Sequence, residues 1–159
     1  MRIRDKIKKP QRPVVAYEIL PPREKDGTLN SYAETISSLL SQTHIDAINI
    51  PEVHDEVGRG DRPVVNQKRG EPREFGMLLQ DIVGIEAIIN RVVVHDPYDR
   101  QMKWLEETNT KYEIENMIIV GGESSKVSYP GPTVNEALKA FTDKYNQNGG
   151  NIFCGGIAI

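Results

Sequence analysis

Val14-Val15-Ala16-Tyr17-Glu18-Ile19-Leu20-Pro21-Pro22-Arg23 is the stretch whose reading decides the fold. Its β-branched and aromatic residues predict a strand over 14–20, and the two prolines stop it because neither can donate to a ladder. One carboxylate, Glu18, interrupts the apolar run near the strand's C-terminal end. A charge buried there unpaired costs several kcal/mol, so Glu18 is expected to be protonated, paired or set at a wet cavity. The plain alternative is a glutamate that faces solvent or pairs with an arginine.

Moving outward, the same unit of strand and helix recurs. Ser31-Tyr32-Ala33-Glu34 has the form of a capping box, and Ile36, Leu39 and Leu40 follow at helical spacing, which predicts a helix over 31–42. Ala47-Ile48-Asn49-Ile50 reads as a strand closed by Pro51. The polar, Gly- and Pro-containing stretch 52–73 is long for a βα connection and is read as disordered or as a functional loop at the strand ends. Phe75, Leu78, Leu79, Ile82 and Val83 predict a helix over 74–85, with Gly84 able to end it. A third strand over 87–94 is stopped by His95-Asp96-Pro97, where Asp96 can cap and Pro97 can open the next helix.

Met102, Trp104 and Leu105 give that helix a stripe read as core. Met117-Ile118-Ile119-Val120 is wholly apolar, as in strands covered on both faces, and runs into Gly121-Gly122-Glu123-Ser124-Ser125. Thr133-Val134-Asn135-Glu136 repeats the capping-box form, its helix ends at Gly149-Gly150, and a fifth strand is predicted over 151–154. Strands alternating with helices of crossover length predict an α/β chain with a parallel sheet. A doubly wound sheet and part of an eight-fold barrel both fit. In either, ligands bind at the carboxyl ends of the strands, where Glu18, Asn49, His95, Glu123 and the paired glycines collect.

Composition narrows the function classes. A net charge of −3 over 159 residues describes one ordinary domain and gives no reason to expect nucleic acid. Arg2, Arg4, Lys6, Lys8, Lys9 and Arg12 make residues 1–12 a basic arm, read as solvated, ahead of a domain over 13–159. This arm lacks the apolar centre of a signal peptide, and no window reaches the ~20 apolar residues of a membrane span. Cys154 is alone, which excludes an internal disulfide and fits a reducing cytoplasm. His44, His54 and His95 show no metal-ligand spacing.

Tyr17-Glu18-Ile19-Leu20-Pro21-Pro22-Arg23 resembles the aromatic-Glu-x-x-Pro-Pro-Arg/Lys signature of methylenetetrahydrofolate reductases, flavin-dependent (β/α)8 barrels of one-carbon metabolism. Ile119-Val120-Gly121-Gly122-Glu123 is similar to that family's fourth-strand segment, and Gly84-Ile85-Glu86-Ala87 to the run before its third strand. The resemblance implies an FAD cofactor, a reduced folate as substrate, and NAD(P)H or a redox partner as electron donor. It implies reduction of 5,10-methylenetetrahydrofolate to 5-methyltetrahydrofolate. Glu18 then takes the place of the general acid, and a second carboxylate nearby would raise its pKa toward neutrality. Glu123 takes the place of an aspartate that binds the pterin. Gly121 and Gly122 would let the flavin ring approach the backbone, with Asn49 and His95 as further cofactor contacts.

Two positions depart from the family: Pro51 falls where a flavin-facing threonine is expected, and Asn90-Arg91 where a histidine is expected. A folate-binding accessory protein that does without flavin is therefore the second reading. A third is an unrelated barrel enzyme that binds phosphate through backbone N–H groups at Gly121-Gly122 and Gly155-Gly156. A complete barrel takes about 250 residues, so these five strands read as a barrel truncated after its fifth strand. Its open sheet edge predicts homo-oligomers and an inactive fragment.

Overall fold

The computed structural model describes residues 2–53, 68–122 and 127–157. Glu123, with most of the 52–73 connection, lies outside the described residues. In chain order the elements are α1 (Ile3–Lys8), β1 (Ala16–Glu18), α2 (Leu29–Leu40), β2 (Ala47–Pro51), α3 (Pro72–Val83), β3 (Ala87–Val92), α4 (Tyr98–Thr110), β4 (Asn116–Val120), α5 (Val134–Lys139) and β5 (Phe153–Gly156). The strands form one parallel sheet in the order β1-β2-β3-β4-β5. A doubly wound sheet reverses its strand order part-way, and this one does not. Right-handed crossovers that always step the same way place the connecting helices on one face.

The alternation of side chains along each strand confirms that placement. Ile48, Ile50 and Ile89 pack with Phe75, Leu79, Ala33 and Leu40 of α2 and α3. Met117 and Ile119 pack with Leu105, Ala137 and Phe141 on the α4 and α5 side. Each of the larger side chains among them, from Leu and Ile to Phe, contributes about 1.5–3 kcal/mol. The intervening residues, Ala47 and Ile88 with Ile118, face the other way and meet Ile3 of α1.

The basic arm is docked on the domain and does not stand free in solvent. It folds into α1, buries Ile3, and crosses the starts of the strands. Arg2 pairs with Glu115, the Ile3 N–H donates to the Glu86 carboxylate, and Arg4 donates to Asn151. Lys6 and Arg12 both reach Asp46, at 2.9 and 2.7 Å. Asp46, Glu86 and Glu115 each stand one residue before a strand, so the positive charges read as a solvated arm answer acceptors at the strand entries.

Several boundaries move for identifiable reasons. Thr28 caps α2 by accepting from the Ser31 N–H, so the helix starts before the Ser31 box. Asp96 is drawn into an ion pair with Arg91, which leaves Pro97 as the cap of α4. Asn146 exchanges hydrogen bonds with the backbone of Ile152, so β5 begins at Phe153 rather than 151. β1 is cut to three residues because the Val15 N–H and carbonyl are taken by Asp46. Gly84 ends α3 in the left-handed conformation at φ 70°, and the Thr133–Glu136 capping box forms as expected. The last helix continues past α5 as a π-helical turn, Ala140–Tyr145.

Asp46 yields a test of this arrangement. The Val15 N–H, then the Lys6 ammonium and the Arg12 guanidinium, hold its carboxyl well below the usual carboxylate range. A carboxylate with a depressed folded-state pKa contributes stability above its unfolded value of about 3.9 and loses it as pH falls toward the folded value. Asp46→Asn is therefore expected to be less stable than the parent at pH 7, with the gap closing below about pH 4. Urea unfolding of both proteins across that range checks this. A gap that stays constant from neutral pH into acid would refute the role.

Candidate ligand-binding site

The face of the sheet turned away from the helices carries Glu18 on β1, Asn49 and Pro51 on β2, and Asn90 on β3. Strand register sets Glu18 beside Asn49 and Pro51 beside Asn90. Ile3 closes this face at the strand starts through Ala47 and Ile88, so the polar row lies toward the carboxyl ends. Asn49 Nδ2 donates to Glu18 Oε2 at 2.9 Å. That bond fixes the amide and makes Asn49 Oδ1 an acceptor for something else, because the carboxylate cannot donate to it.

Asn49 Oδ1 and Asn90 Oδ1 are both enclosed and have no hydrogen-bond partner among the described residues. An enclosed acceptor left unpaired costs about 1–3 kcal/mol, and native proteins seldom carry such groups without a use for them. Glu18 itself is exposed, on a strand whose three residues are all exposed. The expected burial of this carboxylate is thus not found: β1 is an edge strand among the described residues, and no neighbour covers its flank.

The other expected residues group elsewhere. His95, on the turn Val93–His95 after β3, meets the Tyr129 ring edge-on with centroids 5.5 Å apart. A side chain at Gly122 would stand 2.3 Å from that same ring, so Tyr129 fills the space beside Gly122. Gly131 secures this loop, its N–H donating to the Val94 carbonyl at 2.8 Å. The structure thus joins Glu18 to Asn49, and His95 and Gly122 to Tyr129. A side chain at Gly121 would meet Val134 instead, at 3.3 Å.

Sequence reasoning does not single out Asn90 and Arg91 as site residues. The signal was present, since an amide and a guanidinium stand side by side in an apolar strand and alternation sends them to opposite faces. Arg91 is buried against α4, where it donates to Glu52, Asp96 and Gln101. Cys154 offers no nucleophile, because burial pushes its thiol up to about 12. Among the described residues no cluster of His, Cys, Asp and Glu could hold a metal ion. Nor is any helix among them long and apolar enough to cross a membrane.

No protein-family model matches the chain, and neither does any curated protein. Among solved structures, the fold is similar to that of a Clostridium thermocellum protein, with a TM-score of 0.69 over 98% of this chain at 16% identity. That protein is described as uncharacterized and as binding two copies of 5-methyl-5,6,7,8-tetrahydrofolic acid. The present chain spans 48% of its length. At this identity the likeness establishes a shared fold.

If the orphaned amide oxygens exist for a ligand, removing one should not harm the free protein. Asn90→Leu is expected to leave unliganded stability unchanged or to raise it by about 1 kcal/mol. Chemical denaturation measures this directly, and a loss of about 2 kcal/mol or more would make Asn90 a structural residue.

Proposed function

We propose that the chain binds a reduced folate by its pterin ring at the carboxyl ends of β1, β2 and β3. The observation that carries this reading is the row of acceptors made by Glu18, Asn49 Oδ1 and Asn90 Oδ1, two of them enclosed and unpaired. A reduced pterin presents a matching edge of donors in its 2-amino group, N3–H and N8–H. Further support comes from the Clostridium thermocellum protein of the same fold that binds 5-methyltetrahydrofolate. The resemblance of Tyr17–Arg23 to the methylenetetrahydrofolate reductase motif supports it too, because it implies that Glu18, at the general-acid position, meets the folate. In this reading Glu18 accepts from the pterin and Asn49 holds the carboxylate in place.

The sheet is read as five consecutive strands of a (β/α)8 barrel. Sequential parallel order supports this, as does a fold relative about twice the length of this chain.

FAD is left out of the proposal, because the described residues fit it poorly. Pro51 has no hydroxyl to offer, Arg91 is committed to Glu52, Asp96 and Gln101 on the helix face, and Tyr129 lies over Gly122. Folate binding without flavin is accordingly preferred to a reductase.

Isothermal titration with 5-methyltetrahydrofolate tests the reading. The parent chain should bind, and Glu18→Gln and Asn90→Ala should each weaken binding about ten-fold, equivalent to ~1.4 kcal/mol. Visible absorbance of the purified protein should show no flavin band. Saturable binding that survives both substitutions unchanged would place the pterin elsewhere.

A further inference from the structure

Trp104 is the only tryptophan in the chain, and two guanidiniums stack on it, with Arg91 Cζ 4.5 Å and Arg73 Cζ 4.9 Å from its ring centre. Its ring also packs against both halves of the helix-side core. Arg91 donates through Nη1 to both oxygens of Glu52 at 2.9 and 3.2 Å, through Nη2 to Asp96 at 2.8 Å, and through Nε to Gln101 at 2.9 Å. Glu52 returns to β3 by accepting the Val92 N–H, and Gln101 donates to the Val93 carbonyl in the turn that follows it. Arg73 does the same at the other end of the β2–α3 connection. It donates to Glu71, whose carboxylate caps α3. Glu52 at the exit of β2 and Glu71 at the entry of α3 are thus both tied, through an arginine, to one indole.

A buried ion cluster of this density is weak evidence for stability, since desolvation offsets much of its attraction. What it supplies here is geometry. Asn90 directly precedes Arg91 on β3 and faces the opposite way, and Pro51, the register partner of Asn90, directly precedes Glu52. The clamp therefore grips the outer side of the two strands whose inner side carries Asn49 and Asn90.

We propose that Arg91, seated on Trp104, is a positioning residue that sets the carboxyl ends of β2 and β3 so that Asn49 and Asn90 present their amide oxygens to the ligand. The ligand named in the test rests on the folate reading; the positioning itself is readable without any ligand. Lysine keeps the charge at position 91 but has neither the planar fork nor the stacking face, so Arg91→Lys releases the clamp. Displacing a binding group by about an ångström is enough to cost ten-fold or more.

The experiment records the side-chain amide resonances of Asn49 and Asn90 by 15N NMR, together with 5-methyltetrahydrofolate affinity, in the parent, Arg91→Lys, Glu52→Gln and Asp46→Asn. Glu52→Gln removes one arm only and serves if Arg91→Lys does not fold. Asp46→Asn lowers stability at the opposite end of the sheet. Released-clamp variants should keep the parent's circular dichroism, shift both asparagine amides and bind roughly ten-fold more weakly, while Asp46→Asn does neither. Shifted amides in a chain whose parent binds no folate would keep the positioning role and reject the ligand. Folded Arg91→Lys or Glu52→Gln protein with both amides unmoved would overturn the proposal.

Discussion

The docking of α1 across the strand starts is the contact on which the sheet's face turned away from the other helices depends. Ile3 supplies the apolar part, meeting Ala47 and Ile88 where a one-sided helical layer would otherwise leave that face bare. The polar part is a set of acceptors one residue ahead of the strands, Asp46, Glu86 and Glu115, each met by a group of the first twelve residues. Because these partners belong to three successive strand entries, one short helix holds the starts of β2, β3 and β4 in common register. A six-residue helix has little stability of its own, so α1 exists through these contacts, not through propensity.

The two ends of the sheet are therefore built on opposite principles. At the strand starts donors and acceptors are matched, Asp46 alone receiving Val15, Lys6 and Arg12. At the carboxyl ends Asn49 and Asn90 keep enclosed oxygens unmatched, with the Arg91 cluster tightened on the far side of the same strands. Parallel α/β proteins commonly divide labour this way, stability below and binding above, because the loops that follow the strands are the ones free to vary. Here the division is visible as a difference in hydrogen-bond satisfaction, independent of any relative.

Local patterns in the sequence foretold what depends on neighbours in the chain. Strand and helix order, the left-handed stop at Gly84 and the Thr133 cap all rest on contacts a few residues apart, and all are found. What the sequence could not reveal depends on pairing across the fold. The basic residues at 2–12 look like a solvated arm until Asp46, Glu86 and Glu115 are brought beside them. Glu18 looks buried because its neighbours are apolar, but β1 lies at an edge, and edge position is a property of the sheet. Asn146 displaces β5 by side-chain bonds to Ile152 that no strand propensity encodes.

The chemistry of the upper end also separates the readings left open by the sequence. A phosphate needs donors, and backbone N–H groups at glycine pairs can supply them. Yet Tyr129 covers Gly122, and Gly156 sits against Leu138 and Val134 on the helix side. The groups that do converge are a carboxylate and two side-chain amides, and an anion brought against the carboxylate and the two enclosed amide oxygens would meet like charge. A ligand there must bring donors and little negative charge at the buried edge. In the folate complex proposed above, the pterin ring would supply those donors, and the glutamate tail would hold its negative charge at the other end of the molecule, away from Glu18.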